Sequence, residues 1–300
     1  MRLAMHNWMR PEPLPTTLAR LREHGYDAIE ISGEPARYDR AVTARDLERF
    51  GIRCWGAVTI MTPGRDLIAA DAAVRAATLR YMLDCAQLVH ALGGEILAVV
   101  PSTVGKTQPQ ADAQTEWGWA VEGLTHLAEQ CAPWGVRVAL EPINRFETYF
   151  LNRADQALAL AADVGPGVGV ALDTFHLNIE DVNPVAAIRA AGERLFDLHI
   201  ADTNRACPGA GHFPWADTME ALRAMGYQGC LTAEFVLPID RSRLSPHFGE
   251  QRPVEAADAA SSDVQFIRDH GSDVLSAEAY DRAVGATATF LRSLLAGSGR

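Results

Sequence analysis

The chain has 300 residues, of which 48% are hydrophobic and 22% are charged, a composition typical of a globular protein. This length fits one large α/β domain, and we expect residues 1–300 to form a single domain. The formal net charge of −11 argues against a nucleic-acid partner, because phosphate binding requires a basic surface.

The amino terminus and the cysteines carry no targeting or redox signal. The opening residues MRLAMHNWMRPEP lack the apolar core of a signal peptide, and no run of about 18 apolar residues predicts a membrane span. The five cysteines stand far apart and include no CxxC pair, so neither a disulfide framework nor a cysteine zinc site is expected. We therefore expect a cytoplasmic protein without a membrane partner.

Short apolar runs and longer amphipathic segments alternate along the chain. The runs have the length and composition of buried strands. The predicted strands are residues 3–8, 26–32, 52–58, 95–101, 136–142, 168–174, 195–201 and 230–236. The amphipathic segments between them predict helices at residues 14–25, 71–94, 115–135, 154–165, 216–227 and 277–297.

This alternation predicts an α/β fold, a single TIM (β/α)8 barrel, because eight strand–helix units in roughly 250–300 residues are its signature. A doubly wound open sheet is the competing architecture, but no glycine-rich dinucleotide motif follows the first strand. Long loops are predicted after strand four, at residues 101–115, and after strand eight, where residues 237–272 form a rim loop. Residues 296–300 are expected to be a frayed tail.

The fifth to eighth predicted strands each end in an ionisable residue: Glu141, Asp173, His199 and Glu234. Taken alone, each carboxylate could be a loop cap and the histidine a core residue. Together, three carboxylates at one rim would repel each other unless a cation neutralised them. Two Glu, one Asp and one His form a ligand set dominated by oxygen. It predicts one divalent metal ion and suits Mn²⁺, Mg²⁺ or Co²⁺ better than a closed structural zinc.

Four stretches carry a family resemblance: EPINRFETYFLN (141–152), LDTFHLNIED (172–181), LHIADTNRACPGAG (198–211) and AEFV (233–236). They resemble the xylose-isomerase-like superfamily of TIM-barrel sugar isomerases and epimerases, and within it the ketose 3-epimerases of the tagatose and psicose group. The resemblance implies a divalent-metal-dependent enzyme that enolises a keto-sugar by removing the proton next to the carbonyl.

The resemblance also implies roles for individual residues. It implies that one divalent metal ion, with Mn²⁺ favoured over Mg²⁺ or Co²⁺, is bound by Glu141, Asp173, His199 and Glu234. Glu141 and Glu234 would also be the catalytic bases on the two faces of the substrate carbon. The implied substrate-binding residues are Glu147, His176 and Arg205. From their positions at strand one and on strand three, Trp8 and Trp55 are expected to line the pocket, with core packing as the alternative for each.

Other stretches depart from the ketose epimerases. Asp202 and His212 stand where those enzymes have a glutamate and a basic residue, which affects the expected contacts at the sugar end. SGEP (32–35), CWGAVTIM (54–61) and VVPSTVGK (99–106) resemble the catalytic α subunit of C-glycoside deglycosidases. That resemblance implies an alternative function, a carbon–carbon lyase acting on 3-oxo C-glycosides together with a small β subunit.

The expected ligands and partners follow from these two readings. The substrate is expected to be a small sugar or a glycoside. The protein is expected to form a homo-oligomer or a complex with a small partner subunit. A phosphoesterase of the endonuclease type and a non-enzymatic sugar-binding barrel stay open as further classes, although the acidic charge disfavours the first.

Overall fold

Eight parallel strands close into a barrel, in the order of the sequence, in the computed structural model, which describes residues 1–238, 242–244, 271 and 275–297. The strands are β1 (Arg2–His6), β2 (Ala28–Gly33), β3 (Arg53–Thr59), β4 (Ile96–Val99), β5 (Arg137–Leu140), β6 (Val168–Asp173), β7 (Leu195–Ile200) and β8 (Cys230–Ala233). Pairing of β1 with both β2 and β8 closes the sheet. The predicted TIM barrel and its eight strands are confirmed.

Helices cover the outside of this barrel. They are α1 (Leu14–Glu23), α2 (Arg40–Phe50), α3 (Ala72–Ala91), α4 (Ala113–Cys131), α5 (Ala154–Val164), α6 (Thr174–Glu180), α7 (Pro184–Ala191), α8 (Trp215–Ala224) and α9 (Ala277–Leu295). The six predicted helices are confirmed, whereas α2, α6 and α7 were not predicted. Helix α2 buries only Thr43 and Leu47, so its apolar periodicity is weak.

The strands form a continuous buried layer because nearly every one of their side chains is apolar or enclosed. All residues of β4 and β6 are buried, as expected for parallel strands with the barrel interior on one face and helices on the other. Neighbouring strands approach closely at two glycines. A Cβ at Gly56 would collide with the backbone oxygen of Ile96, and one at Gly169 would collide with that of Arg194.

The loop after β4 folds towards the carboxyl end of the barrel. Residues 100–112 connect β4 to α4, and their one isolated bridge joins Lys106 to Thr148. Ser102 and Thr148 also contact each other through their hydroxyl oxygens at 2.7 Å. The predicted rim loop at 237–272 and the predicted tail at 296–300 lie mostly outside the described residues. Within the described residues, no helix is long and apolar enough to cross a lipid bilayer.

Candidate active site

Four ionisable side chains meet at the carboxyl end of the barrel. Asp173 ends β6 and His199 lies near the end of β7, while Glu141 and Glu234 directly follow β5 and β8. Asp173 and His199 are partners in the register of the paired strands. All four residues are buried, with no more than 4% of any of them exposed. The fold therefore brings together the four ionisable strand-end residues that were predicted from the sequence.

The imidazole of His199 lies between two carboxylates. Its Nδ1 is 2.9 Å from Glu141 Oε1 and 2.9 Å from Glu234 Oε2. A single ring nitrogen donates at most one proton, so it cannot satisfy both carboxylates at once. Among the described residues, Glu234 Oε2 has no hydrogen-bond donor. An imidazole nitrogen and two carboxylate oxygens that converge in this way are typical of metal ligands.

Asp173 divides two roles between its two oxygens. Its Oδ1 accepts a hydrogen bond from Phe175 N at 2.8 Å and caps the start of α6. Its Oδ2 is buried without a donor in the described structure and lies 3.7 Å from His176 Nε2. A loop cap and a metal ligand are therefore compatible at this residue, because each role uses a different oxygen.

The pKa values in this cluster reflect crowded negative charge. Burial, followed by the charge of Glu234, holds the pKa of Asp173 well above its usual range. Burial also raises the pKa of Glu141, although His199 opposes the rise. Burial works against a charged His199, yet Glu141 and the nearby carboxylates outweigh it and hold the His199 pKa well above its usual range. The raised pKa values of Glu141 and Asp173 thus indicate a place where a divalent cation would relieve the repulsion between carboxylates.

The distances between donor atoms also fit a metal ion. Among the described residues, three groups of three side chains have ligand atoms within 4.8 Å of one another, and two of these groups adjoin the pocket: Glu141, Asp173 and His176, and His6, His199 and Glu234. The four predicted ligands are divided between these two adjoining groups. His6 was not predicted, although it ends β1 and could have been found by the same search for ionisable residues at strand ends.

A chain of hydrogen bonds orients three of the predicted substrate-binding residues. His176 Nδ1 accepts from Asn144 N at 3.2 Å and lies 2.9 Å from Asn144 Nδ2. Asn144 Nδ2 also donates to Glu147 Oε1 at 2.8 Å, and Arg205 Nη1 donates to the same oxygen at 3.2 Å. Asn144 was not predicted, because an asparagine in a loop gives no distinctive signal.

These contacts assign the tautomer and the charge of His176. Because Nδ1 accepts a hydrogen bond from Asn144 N, the proton of the neutral ring resides on Nε2. Burial, followed by the charge of Arg205, holds the pKa of His176 well below its usual range. His176 is therefore a neutral donor that points its Nε2–H towards the side of the site where Asp173 Oδ2 lies.

Arg205 stands on a loop that Asp202 holds in shape. Arg205 has a φ of 59°, the one positive φ among the described non-glycine residues. The buried Asp202 carboxylate accepts hydrogen bonds from four donors: Thr203 N, Gly209 N, Phe213 N and Trp215 Nε1. His212 is exposed and contacts Thr203. Neither Asp202 nor His212 is among the described residues that line the pocket. Both residues instead form hydrogen bonds within the loop that carries Arg205.

Trp8 forms one wall of the site and orients a predicted ligand. Its Nε1 donates to Glu234 Oε1 at 3.0 Å, which leaves Glu234 Oε2 for other partners. The guanidinium of Arg205 lies 5.9 Å from the Trp8 ring and 4.9 Å from the Phe175 ring. The positive charge is thus placed beside aromatic rings that favour it.

Trp55 is the one predicted site residue that the fold does not bring to this end. It lies near the start of β3, in a depression at the amino end of the barrel, and Arg2 packs over its ring at 4.5 Å. A residue near the start of a barrel strand faces the amino end, opposite the catalytic face. This position corrects the expectation that Trp55 contacts substrate, and we leave it out of the site.

The pocket above these residues has two unlike halves. The polar half comes from the ends of β5 to β8 and the loops that follow them. The other half is formed by aliphatic side chains of β3 and of the loops after β3, β4 and β5: Val58, Ile60, Val100, Val104 and Ile143. A pocket with convergent polar groups on one side and an apolar wall on the other is typical of a small-molecule site.

Known proteins share this fold and much of this sequence. Residues 18–270 match the family described as "Xylose isomerase-like TIM barrel". L-ribulose 3-epimerase of Mesorhizobium japonicum is 35% identical over 224 residues, covering 74% of this chain and 75% of the relative. D-psicose 3-epimerase of Agrobacterium fabrum is 34% identical over 226 residues, covering 70% of this chain and 75% of that enzyme.

Solved structures agree with these relatives. The crystal structure of D-allulose 3-epimerase from Methylomonas sp. in complex with D-allulose superposes with a TM-score of 0.81 at 25% identity, covering 98% of this chain and 96% of that one. These proteins are named as epimerases, so they lend no support to the lyase alternative. The chain belongs to the xylose isomerase-like TIM barrel family and is an enzyme of the sugar isomerase and epimerase type.

Proposed function

We propose that this chain is a divalent-metal-dependent ketose 3-epimerase and that its metal is Mn²⁺. The observation that carries the proposal is the convergence of three buried carboxylates and one imidazole at four consecutive strand ends, with Asp173 Oδ2 and Glu234 Oε2 left without donors. Buried charges persist in proteins when they are paired or bind metal. The activities of the L-ribulose and D-psicose 3-epimerases named above support the reaction type.

The proposed metal ligands are the carboxylates of Glu141, Asp173 and Glu234 and the Nδ1 of His199. Three oxygen ligands and one imidazole suit Mn²⁺, Mg²⁺ or Co²⁺. When bound, the cation would withdraw electron density from the carbonyl oxygen of a ketose and so acidify the C–H bond beside it. Side chains would carry out the proton transfer and bind the substrate.

Glu141 and Glu234 are proposed to move the proton. One carboxylate removes the proton from C3 of the ketose, and the other delivers a proton to the opposite face of the same carbon. A carboxylate base requires a pKa suited to this exchange, and burial raises the pKa of Glu141 towards such a value, whereas a bound cation would lower it. Trp8 Nε1 fixes the orientation of Glu234 by donating to its Oε1 at 3.0 Å.

His176, Glu147 and Arg205 are proposed to bind the oxygens near the carbonyl. His176 offers the Nε2–H, and Arg205 has a buried Nε without an acceptor among the described residues. Glu147 holds the Arg205 guanidinium at 3.2 Å and thereby limits where it can bind. The aliphatic half of the pocket would meet the far end of the sugar and exclude water from the polar half.

The proposal is tested by incubating the purified protein, loaded with Mn²⁺, with D-psicose and separately with L-ribulose. Chromatography should show D-fructose and L-xylulose accumulating, and EDTA should stop both conversions until Mn²⁺ is restored. Parallel loading with Mg²⁺ or Co²⁺ identifies the preferred metal. If the metal-loaded protein converts no ketose, the proposal is wrong. The expected homo-oligomer or small partner subunit stays a prediction.

A further inference from the structure

A second layer of polar side chains lies inside the barrel beneath the proposed metal ligands. Glu30 on β2, Asp197 on β7 and Thr232 on β8 are fully buried, as is His6 at the end of β1. Asp197 precedes His199 by two residues, so both side chains of this strand point into the barrel, one layer apart. None of these four residues is among the described residues that line the pocket. The proposed function therefore leaves this layer unexplained.

The two nitrogens of the His199 ring face different layers. Nδ1 faces the carboxylates of Glu141 and Glu234, both at 2.9 Å. Nε2 faces inwards, 3.6 Å from Glu30 Oε2 and 3.6 Å from Asp197 Oδ2. If Nδ1 binds a metal, the proton of the neutral ring must reside on Nε2. A buried N–H requires an acceptor, and these two carboxylate oxygens are the ones within reach.

The contacts of His199 Nε2 with Glu30 and Asp197 are incomplete in the structure, and on the Glu30 side both atoms lack partners among the described residues. His199 Nε2 and both carboxylate oxygens of Glu30 have no hydrogen-bond partner among the described residues. At 3.6 Å the contacts are too long to be hydrogen bonds, and a shift of roughly 0.6 Å would complete either one. The unpaired His199 Nε2 therefore lies beside an unpaired oxygen of Glu30 and beside Asp197 Oδ2, whose own contact with Thr232 Oγ1 is long at 3.4 Å.

Asp197 is held so that one oxygen remains available. Its Oδ1 accepts from its neighbour Leu198 N at 2.8 Å and from Thr232 Oγ1 at 3.2 Å, whereas its Oδ2 receives only a longer contact of 3.4 Å from the same hydroxyl. Its Oδ2 is the atom nearest to the imidazole of His199. This arrangement is that of a carboxylate anchored on one side to present an acceptor on the other.

We infer that Glu30 and Asp197 are positioning residues that accept the Nε2 proton of His199 and so keep Nδ1 as its metal-binding atom. The inference rests on the metal site of the proposed function. Carboxylates behind a ligating histidine fix its tautomer and ring orientation, and their loss weakens metal binding. Glu30 and Asp197 touch neither the pocket nor the reacting sugar, so their effect reaches the chemistry through His199.

A second cation between the same atoms is the competing explanation, because ligand atoms of Glu30, Asp197 and His199 lie within 4.8 Å of one another. His199 would then bind a cation through each ring nitrogen and would have to lose its remaining proton. A hydrogen bond requires no such loss. The metal content of the protein separates the two arrangements.

The test measures Mn²⁺ affinity, with the full chain stripped of metal and titrated with MnCl₂. Free Mn²⁺ is followed by its electron paramagnetic resonance signal in the wild type, in Glu30→Gln and in the double variant Glu30→Gln/Asp197→Asn. The matched control is Glu116→Gln. Glu116 is a buried carboxylate outside the site that accepts from Gln110 N at 2.7 Å. The melting temperature of each metal-free protein reports its fold.

We expect one Mn²⁺ per wild-type chain and binding about 10- to 100-fold weaker in the double variant, with the control unchanged and the metal-free melting temperature of the double variant preserved. Affinity within threefold of wild type in the folded double variant would overturn the inference, as would two Mn²⁺ per wild-type chain. If the double variant does not fold, Glu30→Gln alone decides by the same criterion. A wild type that binds one Mn²⁺ but converts no ketose contradicts the proposed function, while the affinity comparison still decides the inference.

Discussion

Charged side chains at the two ends of the barrel differ in their exposure to water and in their pairing. At the amino end, Glu95 lies 4.0 Å from Arg2 and 3.9 Å from Arg137, and these arginines pack over the rings of Trp55 and Phe196, both at 4.5 Å. Glu95 is half exposed, so water also solvates the group. At the carboxyl end, charged groups are buried, and several of their polar atoms lack partners in the described structure.

This contrast separates charges that stabilise from charges that are kept for a ligand. Exposed, mutually paired ions cost little and contribute little. Buried carboxylates without donors destabilise the metal-free fold and persist where a ligand or reaction requires them. Within the described residues, the buried carboxylate and imidazole atoms without partners therefore mark the functional end of the barrel.

The largest effect is expected from Glu234→Gln at the carboxyl end. An amide cannot accept the proton at C3, so kcat on D-psicose should fall by about 10³-fold or more. Circular dichroism should show the fold retained, because the amide is close in size to the carboxylate. The matched variant at the opposite end is Glu95→Gln. If Glu234→Gln keeps more than a tenth of wild-type activity, the proposed base is misassigned.

A smaller loss is expected at His176, whose proposed role needs a donor and no charge. His176→Phe removes the Nε2–H and should lower kcat/KM by about 100-fold, whereas the amide donor of His176→Gln should limit the loss to about tenfold. Steady-state kinetics on D-psicose at saturating Mn²⁺ measures both. Equal losses in the two variants would show that hydrogen-bond donation is not what this residue contributes.

A loss of about tenfold in kcat/KM is expected from Asp202→Asn. The amide group must face donors that the carboxylate now accepts from, among them Gly209 N at 2.7 Å and Trp215 Nε1 at 3.0 Å. The loop that carries Arg205 should loosen, so the change should appear mainly in KM. Unfolding in urea should show a loss of about 1–3 kcal/mol. An unchanged KM would separate the loop from substrate binding.

Because His176 is neutral in the folded chain, the free energy of unfolding should fall at acidic pH. Its pKa in the folded chain is held well below the usual range, by burial and then by Arg205, whereas in the unfolded chain it is near 6.5. The unfolded state therefore takes up the proton first, and the contribution to stability is lost as the pH falls below 6.5. Urea titrations at pH 7.5 and 5.5 should show about 1 kcal/mol less acid destabilisation in His176→Gln than in wild type. An identical pH dependence in both proteins would contradict the assigned neutral charge.

The smallest effect is expected from Glu95→Gln. Its ion pairs with Arg2 and Arg137 are long and partly exposed, so the free energy of unfolding should change by less than about 1 kcal/mol. Activity on D-psicose should stay within twofold of wild type. A large loss of activity here would remove the distinction between the two ends of the barrel.

The fold and the proposed ligands could be predicted because both depend on local signals. Apolar strands alternate with helices, and Asp173 or Glu234 stands out against an apolar strand end. Glu30 could not be predicted in the same way, since one acidic residue within a strand does not show that His199 lies across the barrel from it. Asn144 reaches the site through its contacts with His176 and Glu147, which the sequence does not show. The position of Trp55 was misjudged because the sequence does not state how far along the barrel axis a strand residue lies.

The most direct test of the account is proton NMR of D-psicose treated with the Mn²⁺-loaded protein in D₂O. Exchange between two carboxylates on opposite faces of one carbon predicts deuterium at C3 of the D-fructose formed, and none at C1 of either sugar. Conversion that leaves the C3 proton in place, or deuterium that enters at C1, would contradict the proposed transfer between Glu141 and Glu234.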